Sequence, residues 1–166
     1  ALPMAHRAEV LDPRDLPALE ALALEEGVEA VVADQCDYSV FATAWLGERL
    51  GLPSIGLAAA QRATHKRAQR EALAAADLDH LQPAWRVCRT LDDARDAVAR
   101  LGLPVIVKPT DNRGNFGVNR VATPDELAPA VLEAIAHAHS REILVEEYIT
   151  GRLTTVEGFT LAPGEH

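Results

Sequence analysis

Pro104-Val105-Ile106-Val107-Lys108-Pro109-Thr110-Asp111-Asn112-Arg113-Gly114-Asn115-Phe116-Gly117-Val118 is the stretch on which the fold turns. Its first part is a short run of β-branched residues, the composition of a strand buried in a sheet. Pro109 closes that strand because proline has no N–H to give to a ladder, so Lys108 falls at the strand end. The remainder is polar and carries Gly114 and Gly117 before the chain becomes apolar again at 118–121. Glycines let backbone N–H groups approach phosphate oxygens closely, while Lys108 and Arg113 supply the opposing charge. The same composition suits a plain hairpin connection, and the chain has neither a Walker motif nor a dinucleotide fingerprint.

Upstream, Thr90-Leu91-Asp92-Asp93 has the spacing of a capping box, which predicts a helix to Leu101 ended by Gly102-Leu103-Pro104. Before it, residues 84–88 read as a strand. Downstream, Thr123-Pro124-Asp125-Glu126 combines an N-cap, a proline at the first helical position and an acid at the third. The helix it starts runs to about His139, and strands over 143–148 and 154–161 complete an α+β unit.

Nearer the start, Leu16, Leu19, Leu22 and Ala23 recur at helical spacing up to Gly27, ahead of the apolar run Ala30-Val31-Val32-Ala33. Val40, Phe41, Ala44 and Trp45 mark a second helix, followed by Gly51-Leu52-Pro53 and the short run Ser54-Ile55-Gly56-Leu57. Helices alternating with short apolar strands predict part of a doubly wound parallel layer, short of the strands that such a layer usually has. One helix is expected over 61–77, then a loop to residue 83. The fold class is α/β.

The chain has 166 residues, 48% hydrophobic and 25% charged, an ordinary globular composition. Sixteen Lys and Arg against twenty-five Asp and Glu leave a net charge of -9, which argues against nucleic acid or anionic membrane as a partner. No apolar run reaches the roughly 20 residues of a membrane span, and the opening residues lack a signal-peptide layout, so a cytoplasmic protein is expected. Cys36 and Cys88 have no paired spacing and read as reduced thiols.

From Gly51 to Gly158 the order of these segments resembles the front half of an ATP-grasp enzyme, most closely the carboxylate-amine ligases and carbamoyl-phosphate-synthase-like members. Gly51-Leu52-Pro53 followed by Thr64-His65-Lys66 is similar to the end of the pre-ATP-grasp domain and the first nucleotide-facing lysine. Pro104 to Pro109 resembles the second lysine strand, and the loop through Gly114 and Gly117 the flexible phosphate loop. Ile143-Leu144-Val145-Glu146-Glu147-Tyr148-Ile149 resembles the linker that clasps adenine, and Thr155-Val156-Glu157-Gly158-Phe159 the strand after it.

The resemblance implies that Lys66 and Lys108 contact nucleotide phosphates and that N–H groups near Gly114 and Gly117 close over them. It also implies that Glu146 faces the nucleotide, that the Glu147 carbonyl and Ile149 N–H pair with the adenine edge, and that Tyr148 flanks the pocket. ATP and Mg2+ are the implied cofactors. The implied reaction activates a small-molecule carboxylate as an acyl phosphate for attack by an amine or similar nucleophile. Residues 1–60 would be part of a pre-ATP-grasp domain, and 61–166 the first part of the ATP-grasp domain, with its metal ligands beyond this stretch. Assembly into a homo-oligomer is left open.

The chain departs from the pattern at Leu153, where the family usually places a ribose-binding glutamate. Leucine cannot accept those hydrogen bonds, a loss of about 1 to 3 kcal/mol unless Glu157 or another group substitutes. This departure keeps a second expectation in play, a nucleotide-binding or interaction module without catalysis. Asp34, Cys36 and Asp37 follow an expected strand and could touch a substrate, though capping is the commoner role there. His137 and His139 point to different faces of a helix and do not make a metal pair.

Overall fold

The computed structural model describes residues 5–33 and 36–155. Four helices come first: α1 (Leu16–Glu26), α2 (Asp37–Leu50), α3 (Leu57–Thr64) and α4 (Lys66–Ala75). Asp15 caps α1 by accepting the Ala18 N–H at 3.2 Å. Both α1 and α2 end on glycines in the left-handed region, Gly27 (φ 59°) and Gly51 (φ 68°), where a side chain would be strained.

Then follow β1 (Trp85–Cys88), α5 (Leu91–Leu101), β2 (Val105–Pro109), β3 (Asn119–Val121), α6 (Leu127–His137) and β4 (Ile143–Glu147). The four strands form one sheet in the order β1-β4-β2-β3, and every neighbouring pair is antiparallel. Both capping boxes are present. Thr90 and Asp93 exchange bonds with each other's backbone at 3.1 and 3.0 Å, and the Glu126 carboxylate accepts the Thr123 N–H at 3.2 Å.

Strand alternation sorts the sheet into two faces. Cys88, Val105, Val107, Val121, Ile143 and Val145 point to one side, where they are fully or almost fully buried under α5 and α6. The helices meet them with Ala94, Ala97, Ala130, Val131 and Ala134, and such small residues let the helix backbones sit close to the strands. Burying each of these valines stabilises the unit by about 1.5 to 3 kcal/mol. The opposite face carries Ile106 and Lys108 from β2 beside Leu144 and Glu146 from β4. Helix α4 is tied to that face through Arg67 and Arg70.

The first part of the chain differs from the expected parallel layer. Residues 30–33 and 54–56 are not in a sheet, and Leu57 already belongs to α3. Val32 is 88% exposed and Ile55 61%. A strand exists only as part of a ladder, and among the described residues no strand pairs with either run. The helix expected over 61–77 is also divided. His65 adopts an extended conformation (φ -117°, ψ 113°), so α3 stops and α4 begins at Lys66. Of the strand expected over 154–161, Thr154 and Thr155 are outside any strand, and the rest, with Glu157, lies outside the described residues.

Candidate functional site

Lys66 is the first residue of α4, and its position is set by the glycine-bearing loop. Its backbone N–H donates to the Thr110 carbonyl at 2.8 Å, and its ammonium donates to the Asn112 carbonyl. Burial, then the charge of nearby Lys108, holds the Lys66 ammonium below the ordinary lysine value. Lys108 stands at the end of β2 with 16% of its side chain exposed and pairs with Glu146 Oε1. Arg70 donates from Nε and Nη2 to the other oxygen of Glu146, at 3.1 and 3.0 Å. Two cations, Lys108 and Arg70, thus bracket the carboxylate of Glu146, while Lys66 feels the charges of Lys108, Asp37 and Asp111.

The loop after β2 is anchored near its start by two residues. Thr110 is fully buried, with its N–H and its hydroxyl on the Glu142 carbonyl at 3.1 and 3.0 Å. Asn112 donates to the His137 carbonyl at 2.8 Å, at the end of α6. Beyond these anchors Gly114 (φ 66°), Asn115 (φ 60°) and Gly117 (φ 71°) all take left-handed conformations. Among the described residues, nothing accepts a hydrogen bond from the N–H groups of Gly114, Asn115 or Gly117. Gly117 is also required by packing. A Cβ there would lie 3.0 Å from the His137 Cβ and 3.1 Å from the Pro109 Cγ. Gly114 meets only the ring of Phe116, which is itself exposed.

Lys66, Lys108 and Glu146 are therefore brought together, with Gly114 and Gly117 on the loop that Lys66 touches. Glu147, Tyr148 and Ile149 continue from Glu146 at the end of β4. The Glu147 N–H donates to the Ala84 carbonyl at 2.8 Å, and the Tyr148 N–H to the Pro104 carbonyl at 3.3 Å. The guanidinium of Arg120 sits 4.8 Å from the centre of the Tyr148 ring, and the Ile149 side chain is exposed. Leu153 is 95% exposed. Among the described residues no group of three or more His, Cys, Asp or Glu is placed to hold a metal ion.

Two residues that the sequence analysis did not single out, Arg67 and Arg70, also hold acids here. Arg67 donates to the buried Glu142 at 3.1 Å, as Arg70 does to Glu146. The signal was available as two arginines three apart on a helix and two acids, 142 and 146, on one face of a strand. A cleft of about 510 Å³ opens beside the loop, lined by Tyr38, Phe41, His65, Asp111 and Arg113 among others. Asp37 also lines it, Asp34 lies outside the described residues, and Cys36 accepts a hydrogen bond from Arg113. His139 is exposed and shares a 2.8 Å hydrogen bond with the Tyr38 hydroxyl.

The chain is similar in sequence and fold to several known proteins. The formate-dependent phosphoribosylglycinamide formyltransferase of Prochlorococcus marinus is 31% identical over 151 residues, 90% of this chain and 39% of that protein. The D-alanine–D-alanine ligase of Acinetobacter baylyi is 36% identical over 72 residues, 43% of this chain and 23% of that protein. The biotin carboxylase domain of Hydrogenobacter thermophilus 2-oxoglutarate carboxylase, solved with MgADP, ADP and bicarbonate, superposes with a TM-score of 0.70. It has 21% identity and covers 89% of this chain and 36% of that one, a likeness of fold. The chain thus spans well under half of the length of the relatives it matches. The family described as D-ala D-ala ligase C-terminus matches residues 50–158, more than half of the chain, and the chain belongs to that family and, with it, to the ATP-grasp superfamily.

Proposed function

We propose that this chain is the nucleotide-binding part of an ATP-dependent ligase that joins a small-molecule carboxylate to an amine or similar nucleophile. The observation that carries this reading is the convergence of Lys66 and Lys108 beside a loop whose Gly114 and Gly117 N–H groups lack partners among the described residues. Ammonium groups and free N–H groups are the donors that a polyphosphate needs. Membership of the family and the sequence likeness to two ligase-type enzymes support it.

In this reading Lys66 and Lys108 hold the phosphates, and the loop from 110 to 118 closes over them. The Glu147 carbonyl and the Ile149 N–H read the adenine edge, and Tyr148 flanks it. Bound ATP supplies a phosphoryl group, which turns the substrate carboxylate into an acyl phosphate that the nucleophile then attacks, releasing phosphate. The protein's part in this is positioning and charge stabilisation. Among the described residues no group of three or more His, Cys, Asp or Glu is placed to hold magnesium by itself. Residues 1–60 belong in this reading to a preceding domain, and residues 61–166 to the ATP-grasp domain itself.

The test is to supply the full-length protein with ATP, magnesium and a panel of carboxylates and amines, one carboxylate labelled with heavy oxygen. The reading predicts ADP and inorganic phosphate carrying the label. Release of AMP and pyrophosphate would contradict it. A second reading, nucleotide binding without catalysis, is favoured by exposed Leu153 in place of a ribose-binding acid, and ATP binding with no turnover on any substrate would support it.

A further inference from the structure

Glu146 is 5% exposed, and both of its carboxylate oxygens are engaged. Lys108 takes Oε1, and Arg70 places two nitrogens on Oε2. A buried carboxylate must be neutralised. If Lys108 alone did so, its charge would be spent within the protein. We propose that Arg70 is a positioning residue that neutralises Glu146, leaving the charge of Lys108 available to an anionic ligand and favouring a nucleoside triphosphate over a diphosphate. This rests on the nucleotide reading above.

The geometry separates the roles of the two cations. The guanidinium is a rigid, weakly hydrated fork that stays charged, and here it is 18% exposed with two N–H groups on one oxygen. Its place is fixed by α4, whose Arg70 carbonyl also accepts from Gln82 Nε2 at 3.1 Å. An ammonium has three donors, so Lys108 keeps Glu146 with one and has two more for a ligand. With Arg70 present, Lys108 and Arg70 together exceed the Glu146 carboxylate by one charge. Without it Lys108 and Glu146 balance each other.

ATP and ADP affinities are measured for the full-length protein, for Arg70→Gln, for Arg70→Lys and for the double variant Arg70→Gln/Glu146→Gln, each checked by thermal melting. In Arg70→Gln the ATP affinity falls by about tenfold and the ATP-to-ADP affinity ratio by about threefold, because the two ligands differ by one charge. Arg70→Lys restores most of the ratio. The double variant removes one positive and one negative charge, so it returns the ratio to the wild-type value even if Arg70→Gln alone does not fold. An unchanged ratio in Arg70→Gln, or a double variant whose ratio stays low, would overturn the role of Arg70. Absence of ATP binding by the wild type would instead overturn the nucleotide reading.

Discussion

Lys66 and Thr110 are joined through the backbone: the first N–H of α4 donates to the Thr110 carbonyl at 2.8 Å. The start of that helix and the start of the glycine-bearing loop therefore move together. Thr110 also gives its hydroxyl to the Glu142 carbonyl at 3.0 Å from a fully buried position. Thr110→Val keeps the volume and removes that bond, and is expected to cost about 1 kcal/mol in chemical denaturation. Stability equal to the wild type would mean that the hydroxyl anchors nothing.

Gly117 is predicted to tolerate a side chain far less than Gly51 does. Both have positive φ, 71° and 68°, but a Cβ at 51 meets nothing within 4 Å, whereas at 117 it meets His137, Pro109 and Ala134 at 3.0 to 3.2 Å. Gly51→Ala isolates backbone strain, about 1 kcal/mol, while Gly117→Ala adds an overpacking cost of about 1 to 3 kcal/mol. Equal melting temperatures for the two variants would refute the close contact with α6.

The two thiols should differ sharply in reactivity. Cys36, at the start of α2, is held down to about 7 by the Ser39 backbone N–H first, then by the Ser39 hydroxyl and the Arg113 guanidinium. Cys88 is pushed up to about 11 by burial and by Asp93. At pH 7 the thiolate fractions differ by a factor on the order of 10⁴. Iodoacetamide is thus expected to modify Cys36 in the folded protein and Cys88 only on unfolding, with the Cys36 rate levelling off above pH 7. Labelling of Cys88 first would contradict the packing of β1.

Lys66 gives two opposite pH slopes. Its folded-state value lies below the ordinary 10.5 because of burial and then Lys108, so in alkaline solution the unfolded chain holds the proton more tightly. Stability contributed by this group therefore rises as the pH climbs through the depressed value towards 10.5. Phosphate affinity falls over the same window as the ammonium is lost. In Lys66→Arg, which does not titrate there, both slopes should vanish from pH titrations of stability and of ATP binding. Slopes that persist would assign them to another group.

The sequence was most readable where a local signal and the fold agree. The capping boxes at Thr90 and Thr123 start a helix and a helical turn where expected, and Pro109 ends β2 just after Lys108. These signals act through adjacent backbone groups, so no distant partner is needed to interpret them. The break at His65 was not readable, because the Thr110 carbonyl that receives the Lys66 N–H is distant in sequence. The apolar runs at 30–33 and 54–57 show the converse, since their strand-like composition has no ladder to join among the described residues. Glu146 and Glu147 look alike in the sequence, yet strand alternation puts the first between two cations and leaves the second exposed.

Calorimetric titration of ATP into the full-length protein and its Lys108→Ala variant tests the central claim most directly. Saturable binding that weakens at least about tenfold in the variant, with the melting temperature kept, is the predicted result. Equal affinity in the two proteins would contradict the placement of the phosphates at Lys108.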